Sequence, residues 1–241
     1  MPLRVAVLLS GEGTSLENLF GHIDAGLPAR IAVVIASKPD AGGLARAARR
    51  GVPAIAVPRR THPDVRAFND ALHGALARFE IDLVAMLGFL SPFEPRERFA
   101  GRVINVHPAL IPAFSGRGFY GHRVHEAVLE AGVKVTGATV HFADDQYDHG
   151  PIILQEAVPV RDDDTPETLA ARVQAAERRL VPQAIRLIAE GRLAVEGRRV
   201  RCKEAENQPT RSLQGREAAA QRGEAERSVG SREGEKASEG P

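Results

Sequence analysis

The feature that most constrains this chain is the alternation of short apolar runs with amphipathic stretches through its first half. Arg4 to Leu9 (RVAVLL), Ile31 to Ala36 (IAVVIA), Ala54 to Val57, Leu83 to Leu87 (LVAML) and Val103 to Val106 are short and rich in β-branched residues, as strands buried on both faces are. Between them, Leu16 to Ala25, Gly43 to Arg50 and Val65 to Phe79 have helical spacing; in the last, Val65, Phe68, Leu72, Leu76 and Phe79 make one apolar face. Strand, helix, strand repeated in this way means right-handed crossovers and a parallel sheet. The expected fold class is α/β, an open, mostly parallel twisted sheet with helices on both faces, Rossmann-like.

After His107 the spacing loosens. A loop rich in Pro, Gly and Phe runs from Pro108 to Gly121, followed by a helix from about Arg123 to Ala131 and strands at Ala138 to Phe142 and Ile152 to Val158. The stretch Asp162-Asp163-Asp164-Thr165-Pro166-Glu167 predicts a helix start with Asp164 as N-cap, Pro in the first turn and acids facing the dipole. That helix should reach about Leu187, perturbed at Pro182. Composition changes near residue 200: from Arg201 to Pro241 there are 8 basic and 8 acidic residues, and Leu213 and Val229 are the only large aliphatics. Such a segment buries too little apolar surface to offset its ordering entropy. The expected organisation is a catalytic domain over residues 1–200 and a disordered charged tail over 201–241.

Of the 241 residues, 32 are basic and 31 acidic, so the chain has no field to attract nucleic acid or an anionic membrane. Any anion it binds must be met locally. The single cysteine, Cys202, excludes an internal disulfide framework and a Cys-rich zinc site. The first apolar run is too short for a signal peptide, and no apolar stretch approaches membrane-spanning length. The expectation is a cytoplasmic protein acting on small molecules, with no nucleic-acid or membrane partner.

Ser10-Gly11-Glu12-Gly13-Thr14-Ser15-Leu16 joins the first strand to the first helix. Glycines allow a tight turn and close backbone approach, and amides at a helix N-terminus favour an anion. A purely structural turn, capped by Thr14 or Ser15, competes with this reading. A dinucleotide site would want a third glycine and an acid ending the second strand, which here ends Ser37-Lys38-Pro39; an ATP-binding loop would want Gly-Lys-Ser/Thr. A phosphate monoester fits better than NAD or ATP.

In Val103-Ile104-Asn105-Val106-His107-Pro108, alternation puts Asn105 and His107 on one face at the C-terminal end of a strand, where open α/β sheets place ligands. An amide donor beside an imidazole suits acyl-group chemistry, with Asn105 stabilising an oxyanion and His107 carrying a proton. Asp148, between Tyr147 and His149-Gly150-Pro151, is a carboxylate able to orient His107 and raise its proton affinity. Singly, such residues are more often structural. A site of His107, His141 and Asp148 holding a metal is disfavoured because no short His spacing supports it. His22, His62 and His73 fall on helix or loop surfaces and are expected to be solvated.

Four ordered motifs together are specific: Ser10-Gly11-x-Gly13-Thr14-Ser15-Leu16; Asn105-x-His107-Pro108-Ala109-Leu110-Ile111-Pro112; Thr139-Val140-His141-Phe142; and Asp148-x-Gly150-Pro151-Ile152-Ile153-x-Gln155. From about Arg4 to Val200 the chain resembles the phosphoribosylglycinamide formyltransferases, the folate-dependent GAR transformylases of purine biosynthesis. The resemblance implies that the amine of 5'-phosphoribosylglycinamide (GAR) attacks the formyl carbon of 10-formyltetrahydrofolate, with neither metal nor ATP. It implies His107 as general acid/base, Asn105 as oxyanion partner and Asp148 as the residue tuning the imidazole. It implies Gly13, Thr14 and Ser15 at the GAR phosphate, and Gln174 and Glu177 at the same substrate. For the folate it implies Gly88, Phe89, Leu90, Asn105, Asp144 and Tyr147. The family contains monomers and homodimers, so either state is expected.

The chain departs from the family pattern at several points. Ser15 stands where many members have Asn, and the segment after Phe89 is about two residues shorter than in a bacterial form whose arginine follows there. Val65 replaces a second folate-contacting arginine, with Arg66 one residue along, and the Pro112 to His125 loop is longer. The alternatives sharing the Asn, His and Asp triple are formyltetrahydrofolate deformylase, expected with a regulatory domain before the first strand, and methionyl-tRNA formyltransferase, expected with a C-terminal tRNA-binding barrel that the segment after Val200 has too few apolar residues to build. A binding module that has lost catalysis is the alternative from another class.

Overall fold

The first apolar run folds as β1 (Leu3–Leu9), whose last five residues are buried, and the later runs assemble beside it. The computed structural model describes residues 1–203. In chain order the further strands are β2 (Ala29–Ala36), β3 (Ala54–Ala56), β4 (Leu83–Met86), β5 (Val103–His107), β6 (Val135–Phe142), β7 (Ile152–Pro159), β8 (Leu193–Glu196) and β9 (Arg199–Cys202). They form one sheet in the order β3-β2-β1-β4-β5-β6-β7-β9-β8. From β3 to β5 every pairing is parallel. β6 runs antiparallel to both β5 and β7, and β8 antiparallel to β9, while β9 meets β7 in parallel at Ile152 and Arg199. The sheet is thus mixed but mostly parallel where the sequence alternates.

Helices cover both faces because consecutive strand residues point to opposite sides. Val5, Val7 and Leu9 pack with residues of α1 (Thr14–Asp24), α2 (Gly42–Arg49), α5 (His122–Glu130) and α6 (Pro166–Ala189). Ala6 and Leu8 face α3 (Val65–Leu76) and the short α4 (Arg96–Phe99) through Phe68, Leu72, Leu76 and Phe99.

Several local expectations are corrected. The N-cap of α6 is Thr165, which forms a reciprocal capping box with Thr168; Asp164 instead pairs with Arg172 and accepts from the Arg161 amide. Pro182 does not interrupt α6 but lies buried within it. The amide it lacks would have bonded the Arg178 carbonyl, and Asn18 Nδ2 from α1 supplies the donor at 2.9 Å. The hairpin of β8 and β9 was not foreseen, and it carries paired backbone through Cys202, past the break expected at residue 200. Of the tail expected over 201–241, residues 204–241 lie outside the described residues. His73 is not solvated: it stacks on Phe93 with centroids 5.5 Å apart and Nε2 donates to the Glu94 carbonyl at 2.8 Å.

Candidate active site

The antiparallel turn-over from β5 to β6 assembles the candidate catalytic cluster. Register sets Asn105 opposite His141 and His107 opposite Thr139, so four polar side chains share one face across two strands. Asp148 arrives from the β6–β7 loop with φ 52°, a left-handed conformation uncommon for a residue with a side chain. Its Oδ2 lies 3.4 Å from His107 Nδ1, and its Oδ1 accepts from Asn105 Nδ2 at 3.4 Å. Asn105, His107 and Asp148 therefore converge at the end of β5.

Hydrogen-bond logic fixes how these groups are oriented. His107 Nε2 donates to the Phe114 carbonyl at 2.8 Å, since a carbonyl can only accept. Nδ1 faces the Asp148 carboxylate, so a second proton there would be matched at both ring nitrogens. Burial works against that charge: it lowers the proton affinity of His107, and Asp148 and the Phe114 carbonyl offset it in part. Asp148 does favour the protonated imidazole as expected, yet the net direction is downward because the ring is 3% exposed. For Asp148 itself burial would raise the pKa. The proximity of His107 and the Gly116 amide, which donates at 2.9 Å, hold it below the ordinary value.

His141, raised earlier only as a metal ligand, has another role. Its Nδ1 donates to the Phe142 carbonyl at 2.8 Å, leaving Nε2 to accept from Asn105 Nδ2 at 3.2 Å. With His141 and Asp148 both accepting from Nδ2, the Asn105 amide has one orientation. Among the described residues no cluster of three or more His, Cys, Asp or Glu is arranged to hold a metal ion.

Four residues to which the sequence assigns no role support the cluster: Thr139, Gln155, Phe114 and Gly116. Thr139 Oγ1 donates to the Ala109 carbonyl at 2.7 Å and accepts from the Ile111 amide at 3.1 Å. Gln155 Nε2 reaches both Thr139 Oγ1 and the Ile111 carbonyl at 3.0 Å, so β6 and β7 pin the chain leaving His107. Phe114 and Gly116 act through backbone groups, which residue identity does not reveal. The Thr139–Gln155 pairing was the one signal available, as two polar residues facing each other across adjacent alternating strands.

The turn after β1 lies two strands away, because β4 separates β1 from β5. Gly13 is the N-cap of α1 with φ 72°, and no side chain caps the helix, so the cap by Thr14 or Ser15 that the competing structural reading required is absent. A side chain at Gly13 would come within 2.6 Å of Gly43 Cα. Ser10 links this turn to the loop after β4: its amide donates to the Gly88 carbonyl at 3.0 Å and its Oγ accepts from the Leu90 amide at 2.8 Å. Phe89 stacks on buried Phe68, whereas Leu90 is 56% exposed. Asp144 accepts from the Gln146 amide and pairs with His149 at 2.8 Å, and Tyr147 is exposed. On α6 Gln174 is exposed and Glu177 half-buried, its carboxyl pushed up by burial to about 7. The Asn18–Arg178 bond ties this stretch of α6 to α1.

Asn105 and His107 at the end of β5, met by Asp148 from the next loop on a mostly parallel sheet, suit enzymes that act on an acyl group, and the chain belongs to the formyl transferase family, whose model matches residues 3–185. Its similarity falls on particular members. It is 41% identical over 207 residues to phosphoribosylglycinamide formyltransferase of Mycobacterium tuberculosis, covering 83% of this chain and 94% of that one. A solved glycinamide ribonucleotide transformylase of Symbiobacterium toebii is 45% identical with a TM-score of 0.78, covering 84% of this chain and 95% of that one. The trifunctional purine biosynthetic protein adenosine-3 of Gallus gallus is 39% identical over 198 residues, 80% of this chain, which spans 19% of that protein's length. Among the described residues no helix is long and apolar enough to cross a membrane.

Proposed function

We propose that this chain transfers the formyl group of 10-formyltetrahydrofolate to the amine of GAR, giving formyl-GAR and tetrahydrofolate, as a small-molecule enzyme of the cytoplasm whose catalytic domain spans residues 1–203. The observation that carries the reading is the convergence of Asn105, His107 and Asp148 at the end of β5. Two strand spacings, about 10 Å, separate that cluster from the turn after β1. A substrate with a phosphate at one end and an amine at the other spans the two.

In this reading the amides of Gly13, Thr14 and Ser15 hold the phosphate at the N-terminus of α1. Gln174 and Glu177 contact the same substrate. The loops carrying Gly88, Phe89, Leu90, Asp144 and Tyr147 hold the folate, with Asn105 between the two ligands. The GAR nitrogen attacks the formyl carbon, a C–N bond forms, and the bond from that carbon to N10 breaks. Because Nε2 of His107 is anchored on Phe114, Nδ1 is the nitrogen that takes the proton lost by the amine and returns it to N10. Asp148 stabilises the imidazolium between the two transfers. No step calls on a metal ion or ATP.

The test is tetrahydrofolate release measured with and without GAR, and with chelator. Release that requires GAR and is indifferent to chelator is expected. Equal release to water alone would instead make the chain a deformylase.

A further inference from the structure

Beyond the Ser10 link to the loop after β4, α2 holds the turn between β1 and α1 through two backbone carbonyls. The Gly43 amide donates to the Gly11 carbonyl at 3.2 Å, and Arg46 Nε donates to the Glu12 carbonyl at 2.8 Å. In a planar trans peptide the N–H points opposite to the C=O. Drawing the Gly11 and Glu12 carbonyls toward α2 therefore turns the amides of Glu12 and Gly13 away from it. The Gly13 carbonyl accepts from the Glu17 amide at 3.0 Å, which aims the Thr14 amide out of the helix end. Gly43 permits the approach, since a Cβ there would lie 2.4 Å from Leu9 Cδ2. Arg46 is oriented in turn by Glu17, with Nη1 at 3.3 Å from Oε2, and Glu17 is also met by Arg50 at 3.7 Å.

We propose that Arg46 is a positioning residue for the phosphate end of the substrate: its Nε, bonded to the Glu12 carbonyl, sets the Gly13 amide in the direction from which a phosphate monoester binds. The inference rests on the reading of this turn as the GAR phosphate site. It assigns Arg46 no direct contact with the ligand. Its guanidinium is committed to Glu12 and Glu17, and what it delivers is the orientation of a neighbouring amide.

The experiment compares the full-length wild type with Arg46→Met and Arg46→Lys in formyl transfer, with inorganic phosphate as a competitive probe. In Arg46→Met, KM for GAR should rise about tenfold, the loss of roughly one charge-assisted hydrogen bond. The inhibition constant of phosphate should rise in parallel, with kcat within about twofold and KM for 10-formyltetrahydrofolate unchanged. Arg46→Lys keeps the charge but loses Nε, so its KM for GAR should still rise at least about threefold. Full rescue by Lys would show that charge acts on the phosphate directly, and unchanged KM in Arg46→Met would show that the turn needs no tie; either overturns the proposal. A parallel rise of both KM values with a lower melting temperature would reduce Arg46 to a structural residue. A wild type inactive with GAR would instead remove the functional reading itself.

Discussion

At His107 two opposing effects meet, and their balance makes a prediction. Burial lowers the proton affinity of the imidazole, and the Asp148 carboxylate raises it. In Asp148→Asn the carboxylate no longer opposes burial and only the Phe114 carbonyl still offsets it, so the limb of the pH–rate profile set by His107 should move to lower pH, with kcat reduced at least about tenfold. A limb that stays in place or moves up would contradict the assigned pairing. Glu177 works in the other direction. Its folded pKa of about 7 lies above the ordinary value of 4.5, so the folded protein holds this proton more tightly than the unfolded chain. That contribution is fully present below pH 4.5 and lost as pH rises through 7. Gln is neutral throughout, so Glu177→Gln should match the wild type in melting temperature near pH 4 and exceed it by roughly 2–4 °C at pH 8. Equal differences at both pH values would contradict the burial argument.

At the scale of elements, the contacts that decide the site lie between helices and turns rather than within them. Gly13→Ala would put a Cβ 2.6 Å from Gly43 Cα at a positive φ, and neither backbone can yield cheaply. Calorimetry and kinetics together should show a loss of about 2 kcal/mol in stability and a raised KM for GAR. A neutral outcome in both would mean that the turn is not held as described. Much of this level was legible beforehand. The five apolar runs are all strands, because period and β-branching read directly as burial on two faces, and Asn105 and His107 share a face because strand alternation demands it. The capping box of Thr165 and Thr168 was missed because three successive aspartates offered a stronger local signal than the threonine beside them. The continuity of α6 through Pro182 depends on Asn18, 160 residues earlier in the chain, and no local rule reports such a partner. The anchors from Phe114 and Gly116 are backbone groups and leave no trace in residue type.

For the molecule as a whole, the order of the strands explains why the site lies where it does. The parallel half delivers the ends of β1, β4 and β5 to one edge, and the antiparallel β6 and β7 return Asp148 to it. The composition break near residue 200 could not reveal β9, whose alternating Arg199, Val200, Arg201 and Cys202 carry little apolar surface. Removing residues 204–241 should leave turnover and melting temperature nearly unchanged, whereas ending the chain after Val200 cuts β9 and should lower the melting temperature by several degrees. Equal effects would show that the hairpin of β8 and β9 adds nothing to the domain. The central claim is that the cluster at the end of β5 carries formyl transfer, and the most direct measurement is single-turnover transfer from 10-formyltetrahydrofolate to GAR by His107→Ala beside the wild type. The account predicts a loss of at least about a hundredfold in rate with GAR binding retained; a variant within about threefold of the wild-type rate would contradict it.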